Sequence, residues 1–170
     1  MRRTVILLVA LATAAPGFAG SPDADAIVGL WRTAPDPKDG AAIVEIVRDG
    51  ETFAGRIVWL EKPLYGPDED RPGQPKVDLR NPDPSLRERP VLGLELLRGF
   101  RFDGRKWKGG TIYDPASGTT YRCVMKLLGA DRLKVRGYVG ISLLGRTEVW
   151  TRVREIPRDE GAALPPRAGG

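Results

Sequence analysis

The chain has 170 residues, 41% of them hydrophobic and 29% charged, with a formal charge of +5. That suits one soluble globular domain and excludes both a disordered polar chain and a multispan membrane protein. There is no histidine and a single cysteine, so histidine-dependent nucleophile systems, His-ligated metals, Cys-rich zinc sites and internal disulfides are all ruled out.

Residues 1–19 read as a signal peptide. Arg2 and Arg3 form a positive start, Val5 to Ala15 is apolar, and Gly17-Phe18-Ala19 carries small residues where a signal peptidase cuts, predicting cleavage after Ala19. The apolar run is shorter than the ~20 residues of a membrane span, and no cysteine follows for lipid attachment, so the mature chain is expected free in the periplasm or outside the cell. Its loss takes Lys+Arg from 27 to 25 against 22 acids, and the charge from +5 to +3. The remaining cations are scattered among acids, as in Glu45, Arg48, Asp49, Glu51 and Arg56. No basic stripe interleaved with aromatics stands out, so no nucleic-acid partner is expected.

Residues 20–26 are polar and read as a flexible lead-in. Strands are expected over Val28–Thr33, Ala41–Arg48 and Thr52–Leu60, the last two joined by the hairpin signal Asp49-Gly50. Residues 61–94 then interrupt the pattern with seven of the fifteen prolines. Pro63 to Lys76, with the acidic run Asp68-Glu69-Asp70, reads as flexible and solvated, because the run lacks the spacing of a calcium loop. Asn81 to Pro90 is more determined: Asp83 suits an N-cap, Pro84 a first helical position and Pro90 a stop, predicting one helical turn across 84–89.

Five further strands follow: Glu95–Phe102, Trp107–Tyr113, Thr119–Leu128, Leu133–Val139 and Arg146–Val153. They are punctuated by Asp103-Gly104, Asp114 to Gly118, Gly129 to Asp131 and a turn near Ser142–Gly145. Ile141, Leu143 and Leu144 beside that turn suit either a plug for one barrel end or an apolar tip. Cys123 lies on an apparent strand whose odd positions are apolar and is expected to be buried. Residues 154–170 have few apolar side chains and are expected to be disordered. Eight strands with short turns and no sustained helical period predict an all-β, antiparallel, up-and-down barrel over 27–153, with an open sandwich as the alternative.

Several motifs together resemble a known family. They are Gly29-Leu30-Trp31, the run Asp78-Leu79-Arg80-Asn81-Pro82-Asp83-Pro84-Ser85-Leu86-Arg87-Glu88-Arg89-Pro90, Trp107 to Pro115 with Gly118 and Tyr121, Leu133 to Tyr138, Leu144 to Thr147, and Trp150-Thr151-Arg152. From about Gly29 to Arg152 the chain resembles the bacterial secreted family known as domain of unknown function 2147. The resemblance implies a lipocalin-like (calycin-like) barrel and an extracytoplasmic location, and it carries no activity or catalytic residues with it. Gly29, Trp31 and Arg152 resemble the trio with which lipocalin-type barrels close their base, an arginine lying over a tryptophan.

An eight-strand barrel can enclose one small ligand. Alternation and motif position make Phe53, Ile57, Trp59, Tyr113, Tyr121, Met125 and Tyr138 candidate wall or rim residues, with Arg87 and Arg136 as candidate anion contacts. The expected partner is a small apolar or amphipathic ligand. The alternative is a solid barrel working through an envelope protein or a membrane surface. No catalytic residue, cofactor or metal is expected, since the carboxylates cannot be assigned a catalytic separation from sequence.

Overall fold

The computed structural model describes residues 23–140 and 145–158 fully, and residues 162 and 163 by their backbone. The expected signal peptide, the Ile141 to Leu144 turn and most of the expected tail lie outside the described residues.

Among the described residues, eight strands form the barrel: β1 (Gly29–Arg32), β2 (Ala42–Asp49), β3 (Thr52–Leu60), β4 (Glu95–Phe102), β5 (Trp107–Asp114), β6 (Thr119–Leu127), β7 (Arg132–Tyr138) and β8 (Gly145–Val153). Every pairing is antiparallel, running β2, β1, β8, β7, β6, β5, β4, β3 and back to β2. The ring therefore closes, which removes the unpaired edges of an open sheet. The sandwich alternative is set aside by the β1–β8 and β2–β3 pairings together. A 3-10 turn at Pro84–Leu86 starts as its sequence predicts, with the Asp83 carboxylate accepting from the Ser85 amide at 2.9 Å.

The barrel is filled at one end. Trp31, Phe53, Phe100, Trp107, Met125 and Leu133 are buried there, with Phe53 meeting Trp107 edge to face at 6.4 Å. Cys123 belongs to this core, and burial pushes its thiol up to about 12, leaving it inert at neutral pH. The described part of the expected flexible lead-in, residues 23–26, is folded instead. Residues Ala24–Ile27 form a 3-10 turn that seats Ile27 in the core, because the Trp107 and Trp31 indoles donate to the Ala24 and Ile27 carbonyls at 3.1 and 2.8 Å.

Two other expectations are corrected. Pro63 to Lys76 is not loose chain: a bridge between Leu64 and Pro75 folds it back, and the Tyr65 hydroxyl donates to the Val77 carbonyl at 3.0 Å. Ion pairs fasten it to the β1–β2 loop, with Lys38 on Glu69 at 3.0 Å and Lys76 on Asp39 at 2.6 Å. In the expected tail, Ala162–Ala163 forms a ninth strand, β9, on β3 at Leu60 and Trp59. Those backbone groups need a partner because the β4 pairing stops at Arg56.

Candidate functional site

Alternation decides which side chains look into the barrel. On β8 the inward series is Arg146, Glu148, Trp150 and Arg152, the last lying opposite Trp31 in the β1–β8 register. On β7 the buried Leu133 and Val135 face inward with Gly137. Above the filled end these residues leave an open cavity of about 1140 Å³. Its deeper walls are apolar, from Ile57, Leu60, Leu96, Ile112, Val135 and Trp150. Val91 and Leu79, from the long connection, also line it.

Polar groups concentrate toward the opening. Glu148 faces inward, accepts from the Trp150 indole at 3.2 Å and pairs with Arg146 at 3.1 Å. The rim carries Asp36, Lys38, Lys62, Glu69 and Lys76. Asp36 is held below its ordinary range by the amides of Asp39 and Lys38, with Arg146 and Lys62 adding to the effect. Glu69 is lowered by the Gly66 amide and then by Lys38. The site is thus an apolar chamber under a charged mouth.

The long connection is held over the barrel by one buried polar cluster. Asp78 is fully buried; one carboxylate oxygen accepts from the Tyr113 hydroxyl at 2.6 Å, and the other from Asn81 at 2.7 Å and Arg89 Nε at 2.8 Å. Arg89 also lies over the Tyr113 ring, 5.6 Å from its centre. The Arg87 Nε donates to the Asn81 carbonyl at 2.8 Å, and the Asn81 side chain accepts from the Asp83 amide. Asp78, Arg87 and Arg89 thus find their partners inside the motif or on β5, while Arg80 and Glu88 pair with Asp70 and Arg71 of the preceding stretch. The β5–β6 turn completes the attachment. Gly118 has φ +71°, and a Cβ there would overlap the Arg80 carbonyl, so only glycine lets the two segments meet.

Of the candidate ligand contacts, Ile57, Tyr113, Tyr121 and Tyr138 line the cavity. Tyr113 stands on the strand face opposite Ile112, and its hydroxyl is committed to Asp78 and Asn81; burial and that carboxylate raise its pKa. Phe53 and Met125 are corrected to the filled end, where close packing leaves no space for a ligand. Trp59 is corrected to the outer face. A bulge between the Ile43 and Val44 pairings puts Val58 out of step, so Trp59 packs with Ala41, Ile43 and Ile156, under the Arg32 guanidinium at 5.0 Å. Arg87 lies on the connection, away from the cavity, and Arg136 points outward next to inward Val135, donating to Thr147 at 2.7 Å. Glu148 and Arg146 were not anticipated, although counting back in twos from Trp150 would have found both.

The closing trio is assembled. The Arg152 guanidinium sits 4.2 Å from the Trp31 ring centre and donates to the Ala130 and Val28 carbonyls at 2.9 Å each, and to that of Ala26. Gly29, at φ +128°, makes room: a Cβ would lie 2.9 Å from the Arg152 Nη1.

Comparison with known proteins agrees with this architecture. A solved structure described as protein HP1028 from the human pathogen Helicobacter pylori, of the lipocalin family, superposes with a TM-score of 0.63 at 23% identity, covering 76% of this chain and 84% of that one. That similarity shows the fold. No curated protein matches. The family model described as "Uncharacterized protein conserved in bacteria (DUF2147)" matches residues 29–152. The barrel, the Asp78 to Arg89 attachment and the Trp31–Arg152 closure all fall within that span, and the chain belongs to the DUF2147 family.

Proposed function

We propose that this protein binds one small amphipathic ligand in the open half of its barrel, after export from the cytoplasm. The observation that carries the reading is the cavity of about 1140 Å³, apolar in its depth and charged at its mouth. A cavity of that size and lining suits a ligand with an apolar body and a polar end. The body would lie among Ile57, Leu96, Val135 and Trp150, and the polar end would reach Arg146, Glu148 and Tyr121. The sequence of the first nineteen residues supports the export part of the reading.

Native mass spectrometry of the gently purified exported protein tests both parts. The expected result is a chain beginning at Gly20 with one extra small molecule, released and identified by solvent extraction. Val135→Trp fills the chamber and is expected to abolish the added mass while the protein remains folded by circular dichroism. An added mass that survives Val135→Trp unchanged would show that the ligand sits elsewhere. A protein that stays bare and takes up no apolar fluorescent probe would remove the proposal.

A further inference from the structure

The outer face of β6 and β7 is cationic to an unusual degree. Arg122 and Lys126 on β6, and Arg132, Lys134 and Arg136 on β7, all alternate with buried inward residues and so share the outer side. Lys126 stands directly opposite Lys134 in the β6–β7 register. Like charges directly opposite on one sheet face destabilise it. Acids close in sequence do not help, because strand alternation sends Glu148 inward, where it pairs with Arg146. The outward neighbours on β8 are Thr147, Val149 and Thr151, which carry no charge.

Several cations elsewhere on the barrel have a carboxylate to meet them. Arg48 pairs with Asp25 at 2.7 Å, Arg98 with Glu95 at 2.7 Å and Arg101 with Glu51 at 2.9 Å. Among the described residues no ion pair forms at Arg122, Lys126, Arg132 or Lys134. A cluster of cations without a carboxylate partner therefore lies on this one side of the barrel, a placement that composition and local sequence hid.

We propose that this face docks the protein on an anionic lipid bilayer. Closely spaced cations on a flat surface attract acidic headgroups, each contributing additively near the membrane. The apolar neighbour favours lipid over a nucleic acid. Leu128, at the β6–β7 turn, is 44% exposed beside Lys126, and an exposed leucine among cations suits the headgroup boundary. A phosphodiester backbone offers such a side chain nothing.

The test is co-sedimentation of the full mature chain with vesicles of phosphatidylcholine containing about one third phosphatidylglycerol, at low salt. Binding is expected there, and not to phosphatidylcholine alone. Lys134→Glu sets a carboxylate opposite Lys126, so its melting temperature should stay the same or rise while vesicle partitioning falls roughly twentyfold. Arg48→Glu changes the net charge equally on β2, four strands round the barrel from β6, and should reduce partitioning only a few-fold. Equal losses in the two variants would overturn the proposal, as would failure of the wild type to bind. Tighter binding to duplex DNA than to the vesicles, with the same dependence on Lys134, would reassign the face to nucleic acid.

Discussion

Trp31→Ala is expected to lower the unfolding free energy by about 4 kcal/mol, and Arg152→Ala by about 2 kcal/mol. The first removes a fully buried indole that fills the closed end and donates to the Ile27 carbonyl at 2.8 Å. The second removes a guanidinium that bonds the Ala26, Val28 and Ala130 carbonyls, tying the entry of the chain and the β6–β7 turn to the last barrel strand. Burial pulls the Arg152 pKa down, which marks the desolvation cost those bonds offset. Because the two side chains stack at 4.2 Å, their losses should not add, and the coupling should be about 1 kcal/mol. Arg152→Lys should recover little, since an ammonium cannot cover the ring and reach three carbonyls at once. Urea titration followed by far-ultraviolet circular dichroism measures all four corners of the cycle, and strictly additive losses would dismiss the stacked pair as an energetic unit.

Asp78→Ala should cost roughly 3 kcal/mol, because it strips a buried cluster of its only carboxylate and leaves Arg89 and the Tyr113 hydroxyl without their shared acceptor. The damage should be local. Hydrogen exchange is expected to accelerate across residues 78–91, which rely on this cluster, while β6 and β7 keep their protection. Tyr113→Phe removes the two bonds its hydroxyl makes in the same cluster, to Asp78 and from Asn81, and should reproduce the effect at about 1–2 kcal/mol. Unchanged exchange across 78–91 in Asp78→Ala would mean that the connection is held by its apolar contacts, Val91 and Leu94, instead. This segment also supplies Leu79, Arg80 and Val91 to the cavity lining, so on the proposed reading the same variants should exchange a ligand faster.

The cluster explains why the Asp78 to Arg89 motif is legible as a motif and silent about its role. Its residue types are those of an anion site, with Arg87 and Arg89 close together, yet their partners are supplied from within the segment and from Tyr113. Whether an arginine is satisfied depends on which carboxylate comes to meet it, and Asp78 reaches Arg89 only because the connection folds back on itself. The misplacement of Trp59 has an equally definite origin. Strict alternation carries it inward from Ile57, and one bulge at Val58 turns it out. No residue in Ile57-Val58-Trp59-Leu60 announces that bulge. The charged rim shows the same limit, since Lys38–Glu69 and Lys76–Asp39 join segments some thirty residues apart.

The sequence by itself determined the eight strands and their turns, their antiparallel order, the 3-10 turn behind Asp83 and the burial of Cys123, while the choice of a closed barrel over a sandwich waited for the β1–β8 and β2–β3 pairings. These follow from period-two patterning and turn residues, signals carried by neighbours along the chain. Tertiary structure alone decided that one end is packed and the other hollow, that Glu148 looks into the hollow, that Asp78 anchors the connection, and that five cations gather on the outside of β6 and β7. Each of these depends on register and closure, which bring together side chains that nothing in the local sequence relates.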